Sequence, residues 1–560
     1  MDYLLHILVM ISLYAILAAS FNLLIGFAGL FALSQAAFFG VGAYTTAILA
    51  TKLGLPFPVP LVASVLLTAA VGIVVALPAL RIGGDHLVIV TLALQIIVIA
   101  IMVNWRGVTG GTDGIAGIPK IVIAGTALDT PAKFLPFAVV VAAACLAIAG
   151  RLAASPFARA VRAMRENEQA VQAAGKNIVA IKLAVFAFSA GLAAVAGALY
   201  AQYISYVSAE TFTLDATIYI LAMVILGGTG NLWGSLLGAV ILTALPELLK
   251  FVALPPDIAD KSRQILYGLA LIIILLLRPQ GLLGEISTRR RRRLPEAASE
   301  GIGTGAASDG EVTLEGWGLA RRFGGIVAVS GLDITLRRGR IIGLIGPNGA
   351  GKTTAFNLLT GFLRPDEGAV LLNGAALTGT PPYRVVRRGV ARSFQDLKLF
   401  ARMTALDNVM VALPLQKGDN LLNVYFRPWR VASDERSNRA HALAILDFVG
   451  LHDKADVTAE NLSYAEEKLL SIARLVATGA EVLLFDEPLS GLAPNALEAI
   501  FPVLRRLAAS GKTICIIEHN LDVIRGLCDT AVFLDEGRKL AEDVPERLIA
   551  DPALAARYFG

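Results

Sequence analysis

The 560-residue chain has only three cysteines, Cys145, Cys515 and Cys528. They are far apart or unpaired in spacing, which excludes a disulfide framework and a zinc-finger pattern and suits a reducing compartment. Charge is scarce in one half: residues 1–285 hold 27 Lys, Arg, Asp and Glu side chains, whereas residues 286–560 hold 66. About one charged residue in four is ordinary for a water-soluble domain. The first half falls far below that, so the two halves are built for different solvents. Net charge is only +5, with five consecutive arginines at 289–293, and nothing suggests a nucleic-acid surface spread over the protein.

What the first half has instead is apolar runs, at 4–25, 31–50, 59–79, 87–103, 134–150, 181–203, 214–226, 235–249 and 264–277. Most approach the ~20 residues that cross a hydrocarbon core as a helix. "MDYLLHILVM" has no basic start and runs on into more apolar sequence, so it reads as a span rather than a cleaved signal. The Gly-broken stretches "LLIGFAGLFALSQAAFFGVGAY" and "ILGGTGNLWGSLLGAV" are tolerated at membrane depth only where protein or a water-filled cavity covers the broken backbone. A polytopic transporter is therefore expected rather than a simple anchor.

Between Arg151 and Lys182 there are six basic residues against two acids, while 104–133 carries three against two. The richer loop belongs in the cytoplasm, and five preceding runs place the N-terminus outside. In "SPFARAVRAMRENEQAVQAAGKN" the residues Phe157, Val161, Met164 and Val171 fall on one helical face, with Arg159, Arg162, Arg165 and Glu166 off it. Such an amphipathic helix can lie on lipid headgroups or dock on a protein partner. After the last run comes "RRRRRLPEAASEGIGTGAASDG". It reads as a linker over 289–310: its arginines suit the cytoplasmic headgroup region, and its Gly, Ala and Ser content predicts poor order from Leu294 to Gly310.

From Glu311 onward strands and helices alternate. "RIIGLIGPNGAGKTTAFNLLTG" is an apolar strand, a Gly-rich turn and a helix, and Gly346, Gly351, Lys352 and Thr353 fit G-x-x-x-x-G-K-[ST] without a mismatch. The turn, with Asn348, Gly349 and Thr354, lets backbone amides close around phosphate oxygens. Lys352 neutralises the β and γ phosphates, and Thr353 offers an oxygen to Mg2+. "VLLFDEPLSG" ends an apolar strand in two carboxylates. Asp486 can hold magnesium through water, and Glu487 can polarise the attacking water as general base.

These motifs, together with "RSFQDLKLF", "NLSYAEEKLLSIARLVAT" and "IIEHNLDVI", stand in the order found in ABC-transporter ATPases, which this half resembles over essentially its whole length. The resemblance implies that Gln395 senses magnesium and the membrane domain, Ser463 is the signature serine, His519 is the switch histidine on the γ-phosphate, and Phe323 stacks on adenine. "FGGIVAVSGLDITL" and "ADPALAARYFG" look like the ATPase of the branched-chain (hydrophobic) amino-acid importers. The first half is similar to the permease of the same system in "VTGGTDGIAGIP" and in the sequences quoted above.

The fold expected is thus an N-terminal polytopic α-helical membrane domain (1–288), a linker (289–310), and a C-terminal α/β ABC ATPase domain with a helical subdomain (311–560). The resemblance further implies ATP and Mg2+, and a location in the bacterial inner membrane with the ATPase in the cytoplasm. It implies a second permease and a second ATPase subunit, or a homodimer of this chain, and a periplasmic binding protein. The 151–182 loop would then be the coupling helix whose apolar face fits the ATPase groove. Related importers carry urea, amides or aromatic acids. An exporter would have long cytoplasmic helix extensions, and a membrane-anchored, non-transporting ATPase would need one span. The signature reads "LSYAE", Leu462 to Glu466, where the family has a second glycine and a glutamine in place of Ala465 and Glu466.

Overall fold

The computed structural model describes residues 2–79, 86–123, 125–250, scattered positions from 268 to 284, and 311–559. Contacts divide the chain into two units, Met1–Arg165 with Val179–Thr288, and Glu166–Ile178 with Arg289–Gly560. The segment 289–310 lies outside the described residues, and the run 264–277 is described only at isolated helical positions.

Among the described residues of the first unit, five helices are long and apolar enough to cross a membrane: Asp2–Phe27, Pro58–Pro78, His86–Asn104, Pro131–Ala153 and Ile178–Ile204. At 1.5 Å per residue such helices match a core about 30 Å thick. Gln35–Lys52, Leu214–Gly227 and Leu232–Lys250 follow three further runs. The Gly-broken stretches meet each other. Asp2–Asn22 ends in a π-helical turn, Leu23–Phe27, and the fully buried Asn22 serves the break at 228–235. Its amide donates to the Asn231 carbonyl (2.9 Å) and to Ser235 Oγ (2.6 Å), and its Oδ1 accepts from the Gly230 amide (2.8 Å). A Cβ on Gly26 would fall 2.2 Å from that Gly230 nitrogen. Broken backbone is thus covered by protein, as membrane depth requires.

The amphipathic loop departs from expectation. Its periodicity predicts one face carrying Phe157, Val161, Met164 and Val171 toward a lipid surface or the ATPase. The structure instead forms two helices, Pro156–Glu166 and Glu168–Ala173, separated by Asn167 in an extended conformation that caps the second through Ala170 N. Phe157 and Val161 line an apolar cavity with Leu23, Phe27, Leu152 and Val185, so this face packs on the chain's own membrane helices. Met164 is buried as well. Only the part after Arg165, with Val171, clusters with the second unit.

The second unit is built on a six-stranded sheet in the order Val390–Arg392, Val482–Asp486, Thr513–Ile517, Ile341–Ile345, Thr530–Asp535, Arg538–Asp543. The first five are parallel. Three of them, "VLLFD", "TICII" and "IIGLI", are buried at every position, as strands covered on both faces must be. Register puts Asp486 opposite Ile517, and Ile517 opposite Leu344. Glu487 and Gly346, which directly follow their strands, and His519, two positions past Ile517, therefore emerge on one carboxyl-end rim, where open parallel sheets bind ligands. A four-stranded antiparallel sheet, led by the hairpin Val312–Phe323 and Ile326–Arg337, packs a core that includes Leu336, Phe356 and Leu372. The helices Ala405–Ala412, Pro428–Phe448 and Tyr464–Ala477 pack together as a helical subdomain.

Candidate active site

The turn after Ile341–Ile345 is shaped by glycines in conformations other residues resist. Gly346 has φ +149° and Gly351 has φ +94°. A Cβ on them would lie 2.0 Å from the Leu534 carbonyl and 2.3 Å from the Ala328 carbonyl, so no side chain fits. Gly349, at φ +82°, faces open space instead, so the turn's backbone is uncovered there, just before the helix Lys352–Leu359. The helix start adds amides and partial positive charge suited to phosphate. Asn348 and Thr353 are exposed and Thr354 half-buried. Lys352 is buried and donates to the carbonyls of Gly346 (2.6 Å) and Pro347 (2.9 Å). Burial holds its pKa below the usual lysine range, opposed by the charges of Glu487 and Asp486.

Asp486 is 1% exposed. Its Oδ2 accepts from the Arg392 guanidinium at 3.0 Å, its amide donates to Ser393 Oγ, and its Oδ1 is buried with no hydrogen-bond partner among the described residues. Burial pushes this carboxyl up and Arg392 pulls it back down. An orphaned carboxylate oxygen beside the glycine-rich turn is the type of ligand atom that hard divalent cations take. Next in sequence, Glu487 Oε1 meets both Gln395 Nε2 (3.2 Å) and His519 Nε2 (3.2 Å). Three of the residues singled out in the sequence thus converge on one oxygen.

Phe323 and Ser463 stand apart from that cluster. Phe323 ends the hairpin strand, 44% exposed, with the Arg321 guanidinium 5.2 Å from its ring centre. An exposed ring in that place can stack on a planar base. Ser463 caps the helix Tyr464–Ala477 in a reciprocal box with Glu466. Glu466 Oε2 accepts from both the amide (2.8 Å) and the hydroxyl (2.9 Å) of Ser463, and Lys454 approaches Oε1 at 3.4 Å. The Ser463 backbone amide is the main cause that holds the Glu466 carboxyl below its usual range.

Arg392 and Glu518 escaped the motif reading. Each is a lone charge at the end of an apolar run, in "GVARSF" and "TICIIEHN", and that isolation was the available signal. Glu518 is 2% exposed and accepts from the Leu489 amide at 2.7 Å. Burial raises its pKa to about 7 from 4.5. A raised carboxyl binds its proton more tightly when folded, so stability falls as pH rises from about 4.5 through 7, by on the order of 3 kcal/mol. Glu518→Gln keeps the acceptor and removes the charge. It should raise the melting temperature of the nucleotide-binding unit by several degrees at pH 8 and change it little at pH 5, measured by thermal unfolding of the purified chain. Equal shifts at both pH values would mean that ionisation is not the cause. Tyr558, near the C-terminus, donates its hydroxyl to the His519 carbonyl (2.7 Å) and so holds the backbone of His519 in place.

Comparison with known proteins agrees with both halves. Residues 3–275 match the family model of the branched-chain amino acid transport system permease component, and residues 329–490 match that of the ABC transporter ATPase. The "high-affinity branched-chain amino acid transport ATP-binding protein BraF" of Pseudomonas aeruginosa is 35% identical over 248 residues, 44% of this chain and 97% of that protein. The corresponding LivG of Escherichia coli is 37% identical over 246 residues, 43% of this chain and 96% of that protein. A crystal structure of a nucleotide-free ATP-binding cassette from an ABC transporter aligns with 31% identity and a TM-score of 0.40, over 45% of this chain and all of the other. With a permease match in front of an ATP-hydrolysing cassette that powers transport, the chain belongs to the branched-chain amino acid transport family of ABC transporters and joins its permease and ATP-binding components in one polypeptide.

Proposed function

We propose that this chain is the fused permease and ATPase half of an importer of branched-chain amino acids in the bacterial inner membrane, with the permease in 1–288, a linker in 289–310 and the ATP-binding domain in 311–560. The observation that carries the catalytic reading is the meeting of Gln395 and His519 on Glu487 Oε1 at the rim that also bears the phosphate turn. The substrate reading is supported by the names of the relatives.

In this reading the amides of 346–354 hold the phosphates of ATP. Lys352 leaves the Gly346 and Pro347 carbonyls for the β and γ oxygens, and Phe323 stacks on the adenine. Glu487 orients and deprotonates the attacking water, while His519 donates from Nε2 toward the γ-phosphate. Mg2+ would be held by Thr353, Gln395 and, through water, Asp486, and when bound it supplies charge neutralisation at the phosphate oxygens. Ser463 serves an ATP bound on a partner cassette. A second permease and a second ATPase, or a second copy of this chain, complete the transporter, and a periplasmic binding protein delivers the substrate.

The test is ATP-dependent uptake of labelled leucine, isoleucine and valine into proteoliposomes holding the assembled complex, with the binding protein added. Uptake of urea, amides or aromatic acids in their place would reassign the substrate, and ATP hydrolysis with no uptake of any would reduce the chain to a membrane-anchored ATPase.

The capping box at Ser463 gives the signature departure a physical form. A hydroxyl donating to Glu466 must give up that bond to reach a γ-phosphate, and the Ala465 methyl crowds a position the family leaves to glycine. Ala465→Gly with Glu466→Gln keeps an acceptor for the Ser463 amide and removes the charge. Hydrolysis at the partner's site should rise roughly three- to tenfold, the effect of exchanging a charge-assisted hydrogen bond for a neutral one, a difference of about 1 kcal/mol. It is read with this chain's own site disabled by Lys352→Ala, and an unchanged rate would make the departure harmless.

A further inference from the structure

The segment Glu487–Gly491 is gripped from two sides. Glu487 sits at φ +48°, a left-handed conformation that is costly for a residue with a side chain. On one side its amide donates to the Ile517 carbonyl (2.9 Å), and the Leu489 amide to Glu518. On the other side two residues of the helix capped by Ser463 reach across. Lys468 Nζ donates to the Glu487 carbonyl at 2.8 Å, and the Tyr464 hydroxyl donates to the Ser490 carbonyl at 3.2 Å. Lys468 is 3% exposed and its ammonium stands 5.3 Å from the Tyr464 ring centre. Burying an ammonium is expensive, and an apolar side chain of equal reach would fill the place at lower cost. What the apolar side chain could not do is hold the carbonyl of a strained peptide.

We propose that Lys468 is a positioning residue for Glu487. It fixes the left-handed backbone that aims the carboxylate at Gln395 and His519, and it thereby ties hydrolysis at this chain's phosphate turn to the engagement of its Ser463 with a nucleotide on the partner cassette. The proposal rests on the reading of Glu487 as the base. Without Lys468 the Glu487 peptide is free to relax toward negative φ, which swings the carboxylate away from the rim. Because Ser463, Tyr464 and Lys468 lie within two turns of one helix start, a shift of that start on nucleotide engagement moves both donors together.

The experiment uses the full chain assembled with its partner subunits in proteoliposomes. The partner cassette carries glutamine in place of its own base, so that it binds ATP without hydrolysing it. Lys468→Met should lower kcat roughly ten- to hundredfold while KM for ATP and binding of a fluorescent ATP analogue stay within about twofold. Lys468→Gln keeps one neutral donor and should fall between. It also serves if the methionine variant does not assemble. Ser463→Ala should cost clearly less in the Lys468→Met background than in the parent chain. Parental kcat in Lys468→Met, a loss confined to KM, or an equal Ser463→Ala cost in both backgrounds would each overturn the proposal. Glu487→Gln run in parallel separates the two levels. Its normal turnover would remove the base reading and the proposal with it, whereas an inactive Glu487→Gln beside a fully active Lys468→Met removes the proposal alone.

Discussion

Lys352→Ala is expected to bring ATP hydrolysis at this chain's site to background, and Glu487→Gln to leave ATP bound but not turned over. The two losses differ in kind. Lys352, which in the proposed reading serves the phosphates, is a buried cation held on the carbonyls of Gly346 and Pro347 within the fields of Asp486 and Glu487. Its removal leaves the phosphate charge without its counter-charge, so both affinity and rate should fall. Glu487→Gln keeps the shape and the contacts with Gln395 and His519 but cannot take a proton from water. Binding of a fluorescent ATP analogue should be preserved there, while kcat falls by a factor on the order of a thousand. Measurement needs a partner cassette that does not hydrolyse ATP. Normal turnover in Glu487→Gln would show that another group activates the water.

How far this site could be read in advance followed from sequence distance. The phosphate turn and the Asp486–Glu487 pair are contiguous strings whose backbone shape is dictated locally, by glycines at positive φ and by an apolar strand with an acidic end. Arg392 and Asp486 are 94 positions apart and meet only because the strands that carry them are neighbours in the sheet. Lys468 is 19 positions from Glu487, on an unrelated helix, and no local pattern links them. The amphipathic loop failed for a different reason. Periodicity names a face only while the helix is unbroken, and Asn167 resets it, so Val161 and Val171 look alike in the sequence and are buried in different units. Membrane helices were legible by length, whereas the match between Asn22 and the broken backbone at 228–235 joins residues about 210 positions apart, which no local pattern links.

The second large effect is expected in that loop, and its place follows from the split at Asn167. Residues 166–178 are held on the nucleotide-binding unit by polar contacts as well as by the buried Val171. Lys176 Nζ meets Asp419 Oδ2 at 2.7 Å and the Leu413 carbonyl at 3.0 Å, and Arg387 donates to the Gly175 carbonyl at 2.8 Å. Lys398 bonds to Gln169, and the Arg402 amide donates to Glu166 at 3.3 Å. The last two contacts fall a few residues after Gln395, so the segment joined by covalent bonds to the membrane helices touches the same stretch that reaches Glu487. Val171→Asp buries an unpaired carboxylate, at a cost of about 3 kcal/mol or more, and Lys176→Ala leaves Asp419 without its cation. The double variant should lose transport by at least roughly tenfold while the cassette still hydrolyses ATP, because the phosphate site is intact and only its link to the membrane helices is cut. Val161→Asp is the contrast. It places a charge among Leu23, Phe27 and Val185 and should lower the amount of inserted chain without changing the ratio of uptake to hydrolysis. Measuring both ratios in the same proteoliposomes decides between them: normal coupling in Val171→Asp with Lys176→Ala would mean that 166–178 only rests on the cassette, and uncoupling by Val161→Asp would restore the undivided helix as the transmitting element.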